Sequence, residues 1–139
     1  MKNVVVTGMG IVSCIGSNLQ EVLRNLKEGK SGISKNLTYQ EMGFRSHVSG
    51  SIDINLPELI DRKILRFMSD AAGFGYIAAQ EAMLNASLNI EEMNASRIGI
   101  VAGSGGASPA AQLEASDTAR ERGPKRIGPY AVTKTMGST

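Results

Sequence analysis

The alternation of apolar and polar residues divides the chain into two short β-branched runs and several helical stretches. "NVVVTGMG", residues 3–10, sets three valines ahead of a glycine pair, and predicts a buried strand entering a tight turn. "RIGIVAG", residues 97–103, predicts a second buried strand. Between them, "NLQEVLRNLKEGKSG" places Leu19, Val22, Leu23 and Leu26 on one face of a helix. Asn18 and Glu21 stand at capping-box spacing, and Gly29 supplies the stop. Residues 31–56 are mixed, with "SHVSGSIDI" alternating enough for one or two exposed strands.

From Arg62 to about Asn85 the periodicity is helical and apolar on more than one face. Gly73 and Gly75 would each cost about 1 kcal/mol relative to alanine inside a helix. A helix that keeps them is expected to pack backbone-close, as a buried central helix with layers on both sides. Ser108 is an N-cap candidate and Pro109 stands at the preferred first helical position. "RERGPKRIGP" then predicts a basic loop and "YAVTKTMGST" the opening of a further helix. Strand, helix, helix, strand, helix is an α/β order, with no repeat and no evident linker. Two buried strands and an apolar helix ask for more covering surface than 139 residues supply, so the chain reads as part of a larger fold.

Composition narrows the function classes. Hydrophobic residues at 42% and charged residues at 20% describe a globular protein, and a net charge of +2 implies no general nucleic-acid binder. Three Phe, three Tyr and no Trp argue against base-stacking platforms. "MKNVVVTG" is too short an apolar run for a signal peptide, and "AAGFGYIAA" is half the length of a membrane span. With one cysteine no intramolecular disulfide forms, and the expected compartment is the cytoplasm.

Several motifs invite chemistry. "GMGIVS", residues 8–13, has two glycines of a dinucleotide fingerprint, but Ser13 takes the third place and the helix starts too late. A structural turn is the expected reading. "GSGGAS", residues 103–108, could cradle an anion between strand and helix, yet it lacks the Lys-Ser/Thr of a phosphate loop. A tight turn, or a loop beside a pocket for an uncharged ligand, is the alternative. Cys14 and His47 are alone of their kinds, so neither a nucleophilic dyad nor a metal site is indicated.

The cations carry the sharpest signal. Arg62, Lys63 and Arg66 follow a plausible N-cap, Asp61, where a helix end is already positive. Each misplaced charge there costs about 0.3–1 kcal/mol, which asks for an anionic partner in return. A second cluster comprises Arg120, Arg122, Lys125 and Arg126. The competing reading is a solvated face with Glu58, Asp61 and Asp70 as counter-ions.

"VVVTGMGIVSCIG", "LKEGKSGI", "DRKILRFMSDAA", "RIGIVAGSGG" and "GPYAVTK" together resemble the amino-terminal part of bacterial β-ketoacyl-acyl-carrier-protein synthases of the type I kind. The resemblance covers residues 1–139 and implies the first half of a thiolase-like layered α-β-α-β-α fold, incomplete at its C-terminal end. It implies a homodimer that condenses acyl and malonyl thioesters with decarboxylation. No cofactor is implied beyond substrates carried on the phosphopantetheine of acyl carrier protein, and neither nucleic acid nor membrane is an expected partner. The family's catalytic cysteine and two histidines lie beyond the match, so no catalytic residue is expected here; Cys14 and His47 align with none of them. Lys63, Arg66, Arg122 and Lys125 match carrier-protein docking positions, with Arg62 in support. Gly106 matches a position beside the acyl chain, and Met136 one at the dimer interface. The competing function is a non-catalytic module that binds carrier protein or pairs with a synthase.

Overall fold

Helix α1, Leu19–Lys27, begins where Asn18 turns extended and its side-chain oxygen accepts the Glu21 N–H at 2.9 Å. The Glu21 carboxylate reaches back to Ser17, accepting its N–H at 2.9 Å and its hydroxyl at 3.1 Å. The reciprocal cap predicted from spacing therefore forms, one residue earlier than the standard box. At the other end Gly29 takes φ +64°, and the N–H groups of Gly29 and Lys30 close on the carbonyls of Leu26 and Asn25. That is a Schellman stop, which a side chain at Gly29 would strain.

The Ser17 bonds hold the Glu21 carboxyl below the ordinary glutamate range. A group whose folded value is lowered contributes stability above its unfolded value and loses it as pH falls through the folded one. Glu21→Gln is accordingly expected to lower stability at neutral pH, to make no difference once pH is below the folded value, and so to flatten the acid limb of the stability curve. Chemical denaturation at a series of pH values reads this out; an unchanged acid limb would remove the cap from the account.

The computed structural model describes residues 3–89 and 95–136. They divide into two compact units, Met1–Ile54 with Ile77–Asn89, and Asn55–Tyr76 with Ile90–Thr139. In the first unit, β1 (Ile33–Lys35) and β2 (Val48–Gly50) pair antiparallel with Ile33 opposite Gly50 and Lys35 opposite Val48. Helix α2, Leu37–Glu41, lies between them, capped by the Asn36 side chain. Strand β2 falls within "SHVSGSIDI", where one or two exposed strands were expected; its partner β1 lies before that stretch. Among the described residues, Val22 of α1 is the buried apolar side chain of the unit.

The two predicted buried strands do not form. Val4 is 97% exposed and Val101 103%, and neither run joins a ladder among the described residues. Residues Ala95–Arg97 make a 3-10 turn instead of opening a strand. Strand propensity needs a neighbour to satisfy the backbone and a layer to cover the side chains, and among the described residues neither run has such a neighbour.

The second unit carries α3 (Leu56–Leu59), α4 (Arg62–Leu65), the start of α5 (Asp70–Asn85), α6 (Pro109–Arg122) and α7 (Ala131–Thr135). Among its described residues, Leu56 and Ile60 are the buried large apolar ones. The single helix expected over 62–85 is two helices. Phe67 and Met68 donate to carbonyls three residues back, the chain turns, and the Ser69 hydroxyl accepts the Ala72 N–H to restart as α5. Gly73 packs on Leu56, whose Cδ1 would lie 2.8 Å from an added Cβ, whereas Gly75 faces open space. Of α5 only Gly73 is buried, so the expected buried central helix is covered in part. Ser108 and Pro109 start α6 as predicted, but the helix continues through Arg122, and only then does Gly123 (φ +86°) release the chain into a 3-10 turn, Pro124–Arg126. The basic segment is half helix, not a loop throughout.

Candidate functional site

The sequence puzzle of cations on a positive helix end resolves on geometry. Helix α4 has four residues, so Arg62 and Lys63 occupy its first and last turn at once. A macrodipole needs aligned peptides over several turns, and here there is almost none to oppose the charges. Asp61 does cap it, accepting the Lys63 N–H at 2.6 Å. The expected repulsive penalty is therefore absent.

What remains is the fate of the charges themselves. Among the described residues no carboxylate lies within ion-pair distance of Arg62, Lys63 or Arg66. Two acids that could have served are engaged elsewhere: Asp61 on its cap, and Glu58 on the Asn55 amide at 2.5 Å. All three cations are exposed. A face of mutually neutralised charges is not what the structure shows.

Arg66 is held in place all the same. Its guanidinium carbon lies 4.8 Å from the Phe67 ring centre and 5.1 Å from that of Tyr130. The two rings meet edge to face at 4.8 Å and 79°. Each cation–π contact contributes about 0.5–1 kcal/mol at an exposed site, enough to restrict a long side chain without covering its charge. Tyr130 immediately precedes α7 and follows the 3-10 turn that carries Lys125. Arg122 ends α6 just before that turn. Lys63, Arg66, Arg122 and Lys125 thus belong to one unit, with Tyr130 bridging the two basic elements. Arg120 differs from them, lying 3.9 Å from Asp117. Sequence reasoning missed Phe67 and Tyr130, because contact across 63 positions leaves no periodic trace.

The other candidates part ways. The "GMGIVS" glycines are structural: a Cβ on Gly8 would lie 2.7 Å from the Ala86 nitrogen, and one on Gly10 at 2.7 Å from the Ala82 nitrogen. Glu81 of α5 fastens the same segment, accepting the N–H of Ile11 at 2.9 Å and that of Leu19 at 2.7 Å. Cys14 packs as a small apolar group, its Sγ 2.8 Å from a Cβ built on Gly32. His47 uses its carbonyl to accept the Asn36 N–H, and its ring is exposed. In "GSGGAS" the Ser104 hydroxyl donates to the Gly106 carbonyl at 2.8 Å, and a Cβ at Gly106 would meet nothing. Met136 is exposed just beyond α7. No grouping of three His, Cys, Asp or Glu among the described residues could hold a metal ion. No helix among them is long and apolar enough to cross a membrane.

The whole chain, residues 1–139, matches the family described as "Beta-ketoacyl synthase, N-terminal domain". The chain belongs to the β-ketoacyl synthase family. It is 50% identical over its full length to the 3-oxoacyl-[acyl-carrier-protein] synthase 1 of Haemophilus influenzae, covering 34% of that protein. It is 48% identical to the enzyme of the same name from Escherichia coli, over 99% of the chain and again 34% of the relative. This synthase domain therefore spans about a third of the length of those relatives. Its fold matches a β-ketoacyl synthase from Burkholderia phymatum with a TM-score of 0.78, at 24% identity over 99% of the chain and 34% of the other. A second match, with a TM-score of 0.72 at 19% identity, covers 98% of the chain and 35% of a type II PKS acyl-carrier protein–ketosynthase complex chain. The thiolase-like fold class expected from the sequence is thereby established, although much of its sheet is not formed by these residues.

Proposed function

We propose that this domain is the carrier-docking, amino-terminal portion of a 3-oxoacyl-acyl-carrier-protein synthase of fatty acid biosynthesis. In that reaction an acyl group passes to a cysteine thiol. A malonyl thioester loses CO₂, and the resulting carbanion attacks the acyl thioester. A nucleophile, proton-handling imidazoles and oxyanion donors are all needed. Cys14, wedged between glycine backbones, and His47, on a hairpin, do not form that set. The chain alone is expected to be inactive.

Its contribution is recognition. The observation that carries this reading is the unpaired, exposed state of Lys63 and Arg66, with Arg66 already oriented by Phe67 and Tyr130. An acidic carrier protein meeting such a surface gains long-range steering and short-range register. The complex of a ketosynthase with its acyl-carrier protein among the fold matches supports the same partner. Gly106 as an open wall of the acyl pocket, Met136 at a homodimer interface, a cytoplasmic location and independence from any cofactor complete the proposal.

A chimera tests it: residues 1–139 joined to the remaining length of the Escherichia coli synthase 1. Condensation of acyl- and malonyl-carrier protein is expected from the chimera and not from the chain alone. A chimera that folds, binds carrier protein and stays inactive would instead favour a non-catalytic docking module.

A further inference from the structure

A cavity of about 260 Å³ opens in the second unit between α6, the 3-10 turn and α7. Three cations, Arg122, Arg126 and Lys134, line it against a single acid, Glu114. Among the described residues none of the three is in an ion pair, and Lys134 is half-buried. Like charges converging on one concave wall raise its potential, and low-dielectric surroundings focus that field. Arg122 and Arg126 reach the cavity from exposed positions, while the partial burial of Lys134 makes its uncompensated charge costly, and an anion inside relieves both the crowding and that cost. Thr118 adds a hydroxyl to the lining, while Ile127 supplies apolar surface.

We propose that this cavity is a binding site for a small phosphate-bearing ligand. The volume lies just below that of pockets for drug-sized molecules, and fits a phosphate group with a short organic body. Guanidinium forks from Arg122 and Arg126 match phosphate oxygens two at a time, and Lys134 acts as a point charge. The site shares Arg122 with the carrier-docking set but differs from it in substance: Arg126 and Lys134 lie outside that set, and the ligand is a small molecule.

Titration of the isotope-labelled chain with inorganic phosphate, at ionic strength held constant with chloride, tests the site without any carrier protein. Saturable amide shifts confined to Thr118, Ile127, Gly128 and Ala131 are expected. Glycerol phosphate distinguishes a site for the bare ion from one that also grips an organic body; either outcome supports the proposal. Arg126→Gln with Lys134→Gln should weaken binding roughly tenfold, two charge contacts being lost. Arg126→Lys with Lys134→Arg should retain most of it. Lys27→Gln with Lys35→Gln, the same charge change in the first unit, should have no effect. Shifts that never saturate, that spread over the surface, or that respond equally to the first-unit pair would overturn the site.

Discussion

Replacing Gly10 by alanine is expected to destabilise the first unit by about 3 kcal/mol, the upper range for overpacking a close contact. The added methyl would lie 2.7 Å from the Ala82 nitrogen and closer still to the Ala78 carbonyl oxygen. Those atoms are α5 backbone and cannot rotate away. Asn85 holds the Met9 N–H before Gly10, and Glu81 holds the N–H groups of Ile11 and Leu19 after it, so the segment cannot lift off without losing these bonds. A urea midpoint lowered by roughly 1–2 M would register the effect. Gly75→Ala makes the opposing control. That residue is inside the same helix with nothing within 4 Å, so alanine should add roughly 0.5–1 kcal/mol. If both changes behave alike, close approach of this segment to α5 is not what Gly10 serves.

This pair shows what a sequence discloses and what it withholds. Gly8 and Gly10 were expected to make a tight turn, but the chain turns only at Ser13–Gly16, and the glycines serve a close approach to α5 that leaves no mark in the sequence. Caps were legible to the residue: Asn18, Ser108 and the Gly29 stop each act within four positions of their own chain. Strands were not, since Val4–Val6 and Ile98–Val101 carry strand propensity without a ladder to join. The break at Phe67–Ser69 was hidden for a related reason. Apolar spacing continues through it, and only the Ser69 hydroxyl, a weak competitor for backbone bonds, marks the restart.

The basic site divides in the same way. Lys63 and Arg66 could be singled out by charge, yet the electrostatic reason first given for them fails, because a four-residue helix has almost no dipole. A better reason lies in Tyr130, which links the cations of α4 to the end of α6 and could be found only in three dimensions. Identity of 50% with a named synthase establishes kinship, and the ring contact supplies a physical role for a residue that kinship alone leaves anonymous.

Charge reversal at that site is expected to separate binding from chemistry. In the active chimera, Lys63→Glu with Arg66→Glu should raise the Michaelis constant for carrier-bound substrates at least about tenfold, as two attractions become repulsions. The turnover number should stay within about twofold, because neither side chain belongs to the reacting set. Tyr130→Leu supplies the finer test. It removes one ring from Arg66 without touching the charge, so the Michaelis constant should rise only about two- to fivefold, the equivalent of one exposed cation–π contact. Salt discriminates the two. Near 1 M the screening length falls to about 3 Å, and the charge-reversed and parent enzymes should converge because steering is gone from both. The Tyr130→Leu difference should largely persist, since guanidinium and ring are already in contact and no ion atmosphere fits between them. A reversal whose penalty survives high salt undiminished would mean that Lys63 and Arg66 act through the fold rather than through a partner's charge.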